Sequence, residues 1–302
     1  MSSFSQIQGH FNWPESTQAC RIFHGRGGRY PEFRFINIDW FSPVVLIILY
    51  SEVERKWLDS LTEVIKAQLG ERCLSIQVQY RFQHMAPYEL LWGEDIPEPV
   101  ADEAGLKYQL RLGKNQNYGL FFDMEQGRRW VQTHSEQANV LNLFAYTCGF
   151  SVAAIAGNAR QVVNLDMSKP SLSVGRENHR LNQHDLSKVK FMAHDLFKSW
   201  GKLKKSGPYD LVIADPPSLQ KGSINVIRDY PKIIRRLPEL LVPGGRAMLC
   251  LNSPDLDFAF LKSAVAEHCP ELVLEDKIEP SSVFINQQPD KGLKILIYRL
   301  AS

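Results

Sequence analysis

The sequence predicts an α/β fold: a doubly wound, mostly parallel sheet of seven strands, with a smaller α+β domain ahead of it. Three observations predict this. From about residue 124 onward, apolar runs of strand length alternate with helix-length segments, the pattern of a parallel sheet covered on both faces. The first run, Val140–Leu143, leads into a turn that closes on Gly149, and the second, Val162–Leu165, ends on Asp166. Residues 20–112 instead carry short runs, several of them alternating, around a single helical pattern. The expected domains are 1–120 and 121–302.

In the first domain Cys20–His24 reads as a strand and Gly25-Arg-Gly-Gly-Arg29 as the turn after it. Phe33–Asp39 alternates, and Val44–Tyr50 is a buried strand. Val53, Trp57, Leu61, Val64, Ile65 and Leu69 recur at helical spacing, and Gly70 stops that helix. Leu74–Tyr80 alternates again. Residues 86–105, rich in Pro, Glu and Asp, read as a loop. Leu106–Leu112 is another alternating strand, with Tyr118–Phe122 as its partner.

In the second domain strands fall near 139–145, 161–166, 188–193, 209–214 and 245–252, and two more near 271–278 and 293–299. Ser168 is an N-cap with Pro170 just inside its helix. Gly244-Gly245 is expected to end the helix that precedes the fifth strand. Segment 225–241 is expected to carry Arg228, Lys232, Arg235 and Arg236 on one face and Ile227, Tyr230, Ile234, Leu237 and Leu241 on the other. That basic face is either simply solvated or able to steer RNA.

The net charge of +2 permits nucleic-acid binding without arguing for it. Five scattered cysteines lack metal-ligand spacing, so a reduced, cytoplasmic protein with no metal site is expected. The first residues lack the pattern of a signal peptide, and the longest apolar run, Val44–Tyr50, is too short to span a bilayer. Cys148 and Cys250 have no neighbouring His or Lys to lower their pKa and read as structural.

Strand ends in a doubly wound sheet open into one crevice. An Asp at the end of the second strand can accept hydrogen bonds from both hydroxyls of a ribose; the plain alternative for Asp166 is a surface turn carboxylate. A dinucleotide needs three glycines in the first turn, so that the backbone can approach a pyrophosphate. Here Phe144-Ala-Tyr-Thr-Cys-Gly149 supplies one. S-adenosylmethionine has a ribose and an adenine but no phosphate, and is preferred to NAD on that ground. After the third strand, Asp195 can accept from the adenine amine and Leu196 can pack on the ring; Asp195 can equally be the N-cap of the next helix, and the two readings are compatible. His194 reads as structural. After the fourth strand, Asp215-Pro-Pro-Ser218 holds an acidic side chain rigidly at the crevice. That suits the orientation of a nucleophilic nitrogen toward a methyl group, where catalysis is mostly positioning. The plain alternative is a proline-stiffened loop. Gly25–Arg29 could cradle phosphate through amides and guanidiniums, or be a hairpin turn with solvated arginines.

At these residues the chain resembles a class I S-adenosylmethionine-dependent methyltransferase, in particular the bacterial branch that holds the 23S rRNA cytosine carbon-5 and guanine nitrogen-7 enzymes. The resemblance runs from about Leu120 to the end. It rests on Leu141–Phe150, Asn164-Leu-Asp166, Asn178 with Asn182, Asp195-Leu-Phe197, Asp215–Ser218 and Leu241–Gly245. It implies a Rossmann-like sheet whose last strand is antiparallel, and a small α+β domain before it. It also implies that Phe144, Tyr146, Gly149, Phe150, Asp166, Met167, Asp195 and Leu196 bind the cofactor, with Asp123 and Arg128 in a segment closing over it. Asp215, Pro216, Pro217 and Ser218 become the catalytic motif. The length is expected to leave no room for the extra N-terminal RNA-binding module of some relatives.

Three departures bear on the acceptor. Cys148 stands where the family usually has glycine. The carbon-5 enzymes carry a nucleophilic cysteine just after the fifth strand, where this chain has Asn252, so cytosine carbon-5 is disfavoured. Amine methylation usually places an aromatic after the Pro-Pro pair, where Ser218 and Leu219 stand here. A ring nitrogen such as guanine nitrogen 7 is the acceptor least contradicted. The expected function is methyl transfer to a nitrogen of an RNA base, with ribosomal RNA as partner. The alternatives are transfer to a small molecule or protein, a non-catalytic RNA-binding relic, and, most distantly, a nicotinamide oxidoreductase. The oligomeric state is not legible.

Overall fold

The computed structural model describes residues 5–217 and 224–301. The chain forms two compact units, Met1–Phe122 with Ser282–Gln287, and Asp123–Ser281 with Gln288–Ser302.

In the first unit, a short helix α1 (Ser5–Gln8) precedes a five-stranded sheet in the order β1 (Cys20–His24), β2 (Ile36–Phe41), β3 (Val44–Leu49), β4 (Ser75–Tyr80), β5 (Tyr88–Gly93). β3 and β4 are parallel, and the helix α2 (Arg55–Leu69) makes the crossover between them. A parallel pair needs such a long connection, whereas the antiparallel pairs do not. Leu58, Leu61 and Ile65 of α2 pack in one core with Ile22, Ile36, Ile38, Trp40, Ile47 and Val78. β6 (Val100–Glu103) and β7 (Leu106–Gln109) form a separate antiparallel ribbon.

Three expectations are corrected here. Residues 86–105 are not one loop: they hold β5 and β6. Both strands lack long apolar runs, since β5 is a partly exposed sheet edge and β6 a ribbon, so a hydrophobicity pattern passes over them. Tyr118–Phe122 is not a strand. The Arg111 N–H donates to the Tyr118 carbonyl at 2.8 Å, but the ladder partner of β7 is β6. The β structure read at 33–39 begins only at Ile36, after a 3-10 turn over Pro31–Phe33, and β2 is buried along its whole length. Its polar members are satisfied inside: Asp39 takes Arg21 and the Tyr118 hydroxyl (2.7 Å), and the Asn37 amide donates to the Tyr50 hydroxyl at 3.3 Å.

The second unit is a seven-stranded sheet in the order β10 (Val189–Ala193), β9 (Gln161–Asp166), β8 (Asn139–Leu143), β11 (Tyr209–Ala214), β12 (Leu241–Leu251), β14 (Lys294–Leu300), β13 (Leu272–Ile278). The first five are parallel, and β14 runs antiparallel to β12 and β13. The order reverses between β8 and β11, which opens a crevice at their carboxyl ends. Alternate residues serve opposite faces. Leu141, Leu143, Val212, Ala214 and Leu249 pack with α6 (Trp200–Ser206), α7 (Val226–Ile234), α8 (Leu237–Leu240) and α9 (Phe258–His268). Val140, Val162, Ile213, Met248 and Ile295 pack with α3 (Glu125–Thr133) and α4 (Gly149–Ala156). Burial on both faces is why these strands read as unbroken apolar runs. α5 (Lys169–Leu181) links β9 to β10.

Two details differ from expectation. The helix before β12 ends at Leu240, and Gly244-Gly245 lies within that strand. There the register jumps from Tyr209↔Leu241 to Leu211↔Arg246, a bulge in which Gly244 has φ +75°. Ile227 is 63 % exposed, because α7 turns Val226, Tyr230, Ile233 and Ile234 inward. Arg228 and Lys232 both pair with Asp229, so that face carries less free charge than its sequence suggests.

Candidate functional site

The turn after β8 is held in an unfavourable conformation. Phe144, Tyr146 and Cys148 have φ of 57°, 46° and 63°, the left-handed region in which a non-glycine residue costs roughly 1–3 kcal/mol. Four hydrogen bonds hold it there. The Ala145 N–H donates to the Leu165 carbonyl (3.0 Å) and the Cys148 N–H to the Ala145 carbonyl (2.7 Å). The Tyr146 N–H donates to Asp166 Oδ2 at 2.8 Å, and Asn178 of α5 donates to the Thr147 carbonyl at 2.9 Å. Gly149 then opens α4, with Phe150 buried under the sheet.

Asp166 ends β9 and latches this turn. Its second oxygen, Oδ1, accepts the Ser168 N–H at 2.7 Å. Each carboxylate oxygen keeps a lone pair for a further donor. Met167 beside it is 71 % exposed. The His194 N–H donates to the Asp166 carbonyl at 3.1 Å, tying the ends of β9 and β10 together. Asp195 does cap the next turn, accepting the Phe197 N–H at 2.8 Å through Oδ1, and its side chain stays one-third exposed. Leu196 is buried in the core shared with Leu165 and Leu203.

Across the crevice Asp215 follows β11, between Ala214 and the two prolines. It is half-buried, with Pro216 buried and Pro217 half-buried. Burial first, then the negative charge of Asp123, raises the Asp215 carboxyl to about 7, against the opposing pull of Arg128. The expected closing residues Asp123 and Arg128 and the expected catalytic Asp215 therefore share one electrostatic environment, in which Arg128 is 4 % exposed. Ser218, the last residue of the expected motif, lies outside the described residues.

Three features of this edge of the sheet escape a reading of the sequence. The Tyr230 hydroxyl, fully buried on α7, lies 3.1 Å from the Ala214 carbonyl and 2.9 Å from that of Cys250, joining the ends of β11 and β12 beneath Asp215. Lys294 opens β14 fully buried, and its Nζ donates to the carbonyls of Ser253 (2.8 Å), Asp290 (2.6 Å) and Gly292 (2.7 Å). It thus fixes the loop after β12. The only sequence signal was a lysine heading an apolar run. Behind the turn, Asn142, Asn164, Ser151 and His179 form a buried chain of contacts at 2.9, 2.9 and 2.8 Å. Burial lowers His179 to about 3, so the imidazole is neutral at ordinary pH.

Neither of the cysteines weighed as nucleophiles supplies one. Cys148 and Cys250 are fully buried, and burial pushes both thiols up, reinforced by Asp166 for the first and by Asp215 for the second. Among the described residues no cluster of three or more His, Cys, Asp or Glu side chains could hold a metal, and no helix is long and apolar enough to cross a membrane.

The chain and its fold are similar to known proteins. The ribosomal RNA large subunit methyltransferase I of Aeromonas salmonicida is 33 % identical over 183 residues, 59 % of this chain and 46 % of that protein. The chain thus spans about half the length of the curated relatives it matches. The solved structure of SMU.776, a candidate methyltransferase complexed with SAH, superposes with a TM-score of 0.83 at 24 % identity, over 95 % of this chain and 76 % of the other. A candidate SAM-dependent methyltransferase from Streptococcus mutans gives 0.84 at 23 % identity, over 98 % and 78 %. At that identity the likeness shows the fold, with its small first unit included. The sequence profile of a family described as S-adenosylmethionine-dependent methyltransferase matches residues 20–299, spanning both units. A profile match of that extent, over a sheet with the order and crevice just described, establishes that the chain belongs to the S-adenosylmethionine-dependent methyltransferase family.

Proposed function

We propose that the protein methylates a nitrogen of an RNA base, with ribosomal RNA as the substrate class and guanine as the favoured base. The observation that carries the reading is the pairing across one crevice of a latched Asp166 turn with a half-buried Asp215 whose carboxyl is raised to about 7. The donor set fits the cofactor. Asp166 has lone pairs left for ribose hydroxyls, Asp195 is one-third exposed and able to accept an adenine amine, and the turn offers no phosphate cradle. Phe144, Tyr146, Gly149, Phe150, Met167 and Leu196 shape the same site, with Asp123 and Arg128 at its approach. Bound there, S-adenosylmethionine supplies an electrophilic methyl group on a sulfonium, which is released as a neutral thioether.

The protein's own work is positioning and charge. Pro216 and Pro217 fix the backbone after Asp215, and Tyr230 and Lys294 hold the neighbouring strand ends and loop. Ionised Asp215 stabilises the positive charge that grows on an attacking ring nitrogen, and for an exocyclic amine it accepts the departing proton. Cytosine carbon-5 chemistry finds no support, since Asn252 stands after β12 and Cys250 is shut inside it. The first unit serves substrate recognition in this reading, and the cysteines suit a reducing cytoplasm. The similarity to ribosomal RNA large subunit methyltransferase I supports RNA as the substrate.

The test is calorimetric titration with S-adenosylmethionine, followed by tritiated-methyl transfer to deproteinised and assembled ribosomal RNA. Cofactor binding with label in one RNA fraction supports the reading. Binding with label only in protein or small-molecule fractions moves it to those acceptors, and no binding overturns it.

A further inference from the structure

Many arginines of this protein are met by carboxylates. Arg21 meets Asp39, Arg55 meets Asp59 and Glu89, Arg180 meets Glu177, and Arg246 and Arg299 share Glu275. Four arginines of the first unit, besides Arg72 and Arg111, depart from that pattern. Among the described residues Arg26, Arg29, Arg34 and Arg81 form no ion pair. They nonetheless gather around one turn and one ring. Arg26 and Arg29 lie in or beside the turn Gly25–Arg29. The Arg26 guanidinium lies over the Tyr50 ring at 4.5 Å and that of Arg81 at 6.0 Å, while Arg34 reaches the turn at Gly28.

The cluster is built rather than merely solvated. Gly25 is pressed so close to the neighbouring chain that a β-carbon would lie 1.9 Å from the Phe33 carbonyl oxygen. Gly28 has φ +75°, and a β-carbon there would lie 3.3 Å from the Arg34 guanidinium. The Arg26 N–H donates to Asn37 Oδ1 at 3.2 Å, and the Gln287 N–H to the Gly27 carbonyl at 2.9 Å, which fastens the turn on two sides. The side chains are aimed by neutral partners: Arg34 donates to Gln287 Oε1 at 3.2 Å and Arg81 to Asn117 Oδ1 at 2.6 Å. An amide partner orients a guanidinium without cancelling its charge, and most of its five N–H donors stay available. Planar guanidiniums with open forks match phosphate oxygens in pairs.

We infer that the Gly25–Arg29 turn, with Arg34, Arg81 and the Tyr50 ring, is an anchor for the phosphate backbone of RNA, carried wholly by the first unit. This inference rests on the RNA reading and deepens it. The anchor grips phosphates, which carry no sequence, so it fixes the strand while the crevice of the second unit selects the base. It also explains how a chain with a net charge of only +2 can hold RNA: the positive charge is concentrated, not general.

The experiment compares the whole protein with a variant carrying Arg26→Gln, Arg29→Gln, Arg34→Gln and Arg81→Gln, using fluorescein-labelled ribosomal RNA fragments over a salt series. Unchanged S-adenosylmethionine affinity and melting temperature establish that the variant is folded. The expected result is weaker RNA binding and a slope of log affinity on log salt shallower by about 3, at about 0.7 per lost single-strand phosphate contact. The KM for RNA rises while kcat at saturating RNA is kept. Arg180→Gln, whose charge Glu177 already meets, leaves the slope as it was. A folded variant with wild-type affinity and slope overturns the anchor and leaves the RNA reading standing. Wild-type protein that binds the cofactor but no RNA at low salt overturns both. Loss of binding to anionic lipid vesicles, with RNA binding intact, overturns the anchor in favour of a membrane surface.

Discussion

The sulfur of Cys148 fills the space that a side chain at residue 175 would need: a β-carbon on Gly175 would lie 2.3 Å from it. The turn after β8 and α5 are therefore fitted to one another through a single pair. Gly175→Ala is expected to destabilise the protein by about 1–3 kcal/mol through overpacking. Adding Cys148→Gly should recover part of that, since it removes the clashing sulfur and relieves a residue at φ 63°. Denaturant melts of the two single variants and the double variant check this. Strictly additive losses would show that the contact does not couple the two elements.

Asp166→Ala removes the acceptor of two backbone N–H groups, those of Tyr146 and Ser168. Leaving them unpaired costs about 1–3 kcal/mol of stability for each one that water does not reach. The expected functional effect is larger than the structural one: S-adenosylmethionine affinity falls by about a hundredfold, or ~2.7 kcal/mol. Calorimetry reads it directly. A variant that binds the cofactor normally counts heavily against the ribose role.

Asp215 sets a pH dependence with a definite sign. Its carboxyl is raised from the ordinary aspartate value of 3.8 to about 7, so between those values the folded protein holds a proton that the unfolded chain has lost. Its contribution to stability is fully present below about 4 and is lost as pH rises through about 7. Activity has the opposite trend, since the ionised form is the useful one, and kcat/KM should climb to a plateau above about 7. Asp215→Asn flattens both profiles and lowers activity at every pH. Thermal melts and single-turnover rates from pH 5 to 9 would show it. An unchanged rate profile in the variant removes Asp215 from the chemistry.

Lys294→Met strands the buried carbonyls of Ser253 and Gly292 and releases that of Asp290. A loss of about 3 kcal/mol or more is expected. Lys294→Arg should not restore it, because a planar fork cannot point three donors at three converging oxygens as an ammonium does. Chemical denaturation of both variants is the check, and full stability in the arginine variant would show that charge alone suffices.

The crevice was legible because strand ends obey simple rules. An apolar run that stops at a turn or at Asp166, Asp195 or Asp215 announces both a strand and the side of the sheet on which it ends. What hid from the sequence were groups whose meaning depends on distant partners. Lys294 looks like any strand-edge cation until three carbonyls from two loops surround it. Arg228 and Lys232 look like a free basic face until Asp229, 3 % exposed, is seen to bind both. β5 and β6 hid because an edge strand and a ribbon need no long apolar run. Ile227 was misplaced because α7 starts at Val226, in a phase that the residue pattern did not reveal.

The short segment Ser282–Gln287 belongs to the first unit although it is encoded after nearly all of the second. Phe284, 5 % exposed, packs edge-on against His24 at 5.4 Å and beneath the Arg21 guanidinium at 5.1 Å, and Gln287 fastens the arginine turn. On the ribosome, then, the first unit emerges early and waits. Domains generally fold in the order of synthesis, but this one lacks a core aromatic and a turn anchor until residue 287 has left the exit tunnel. The Gly25–Arg29 turn is thereby completed only when almost the whole second unit has been made.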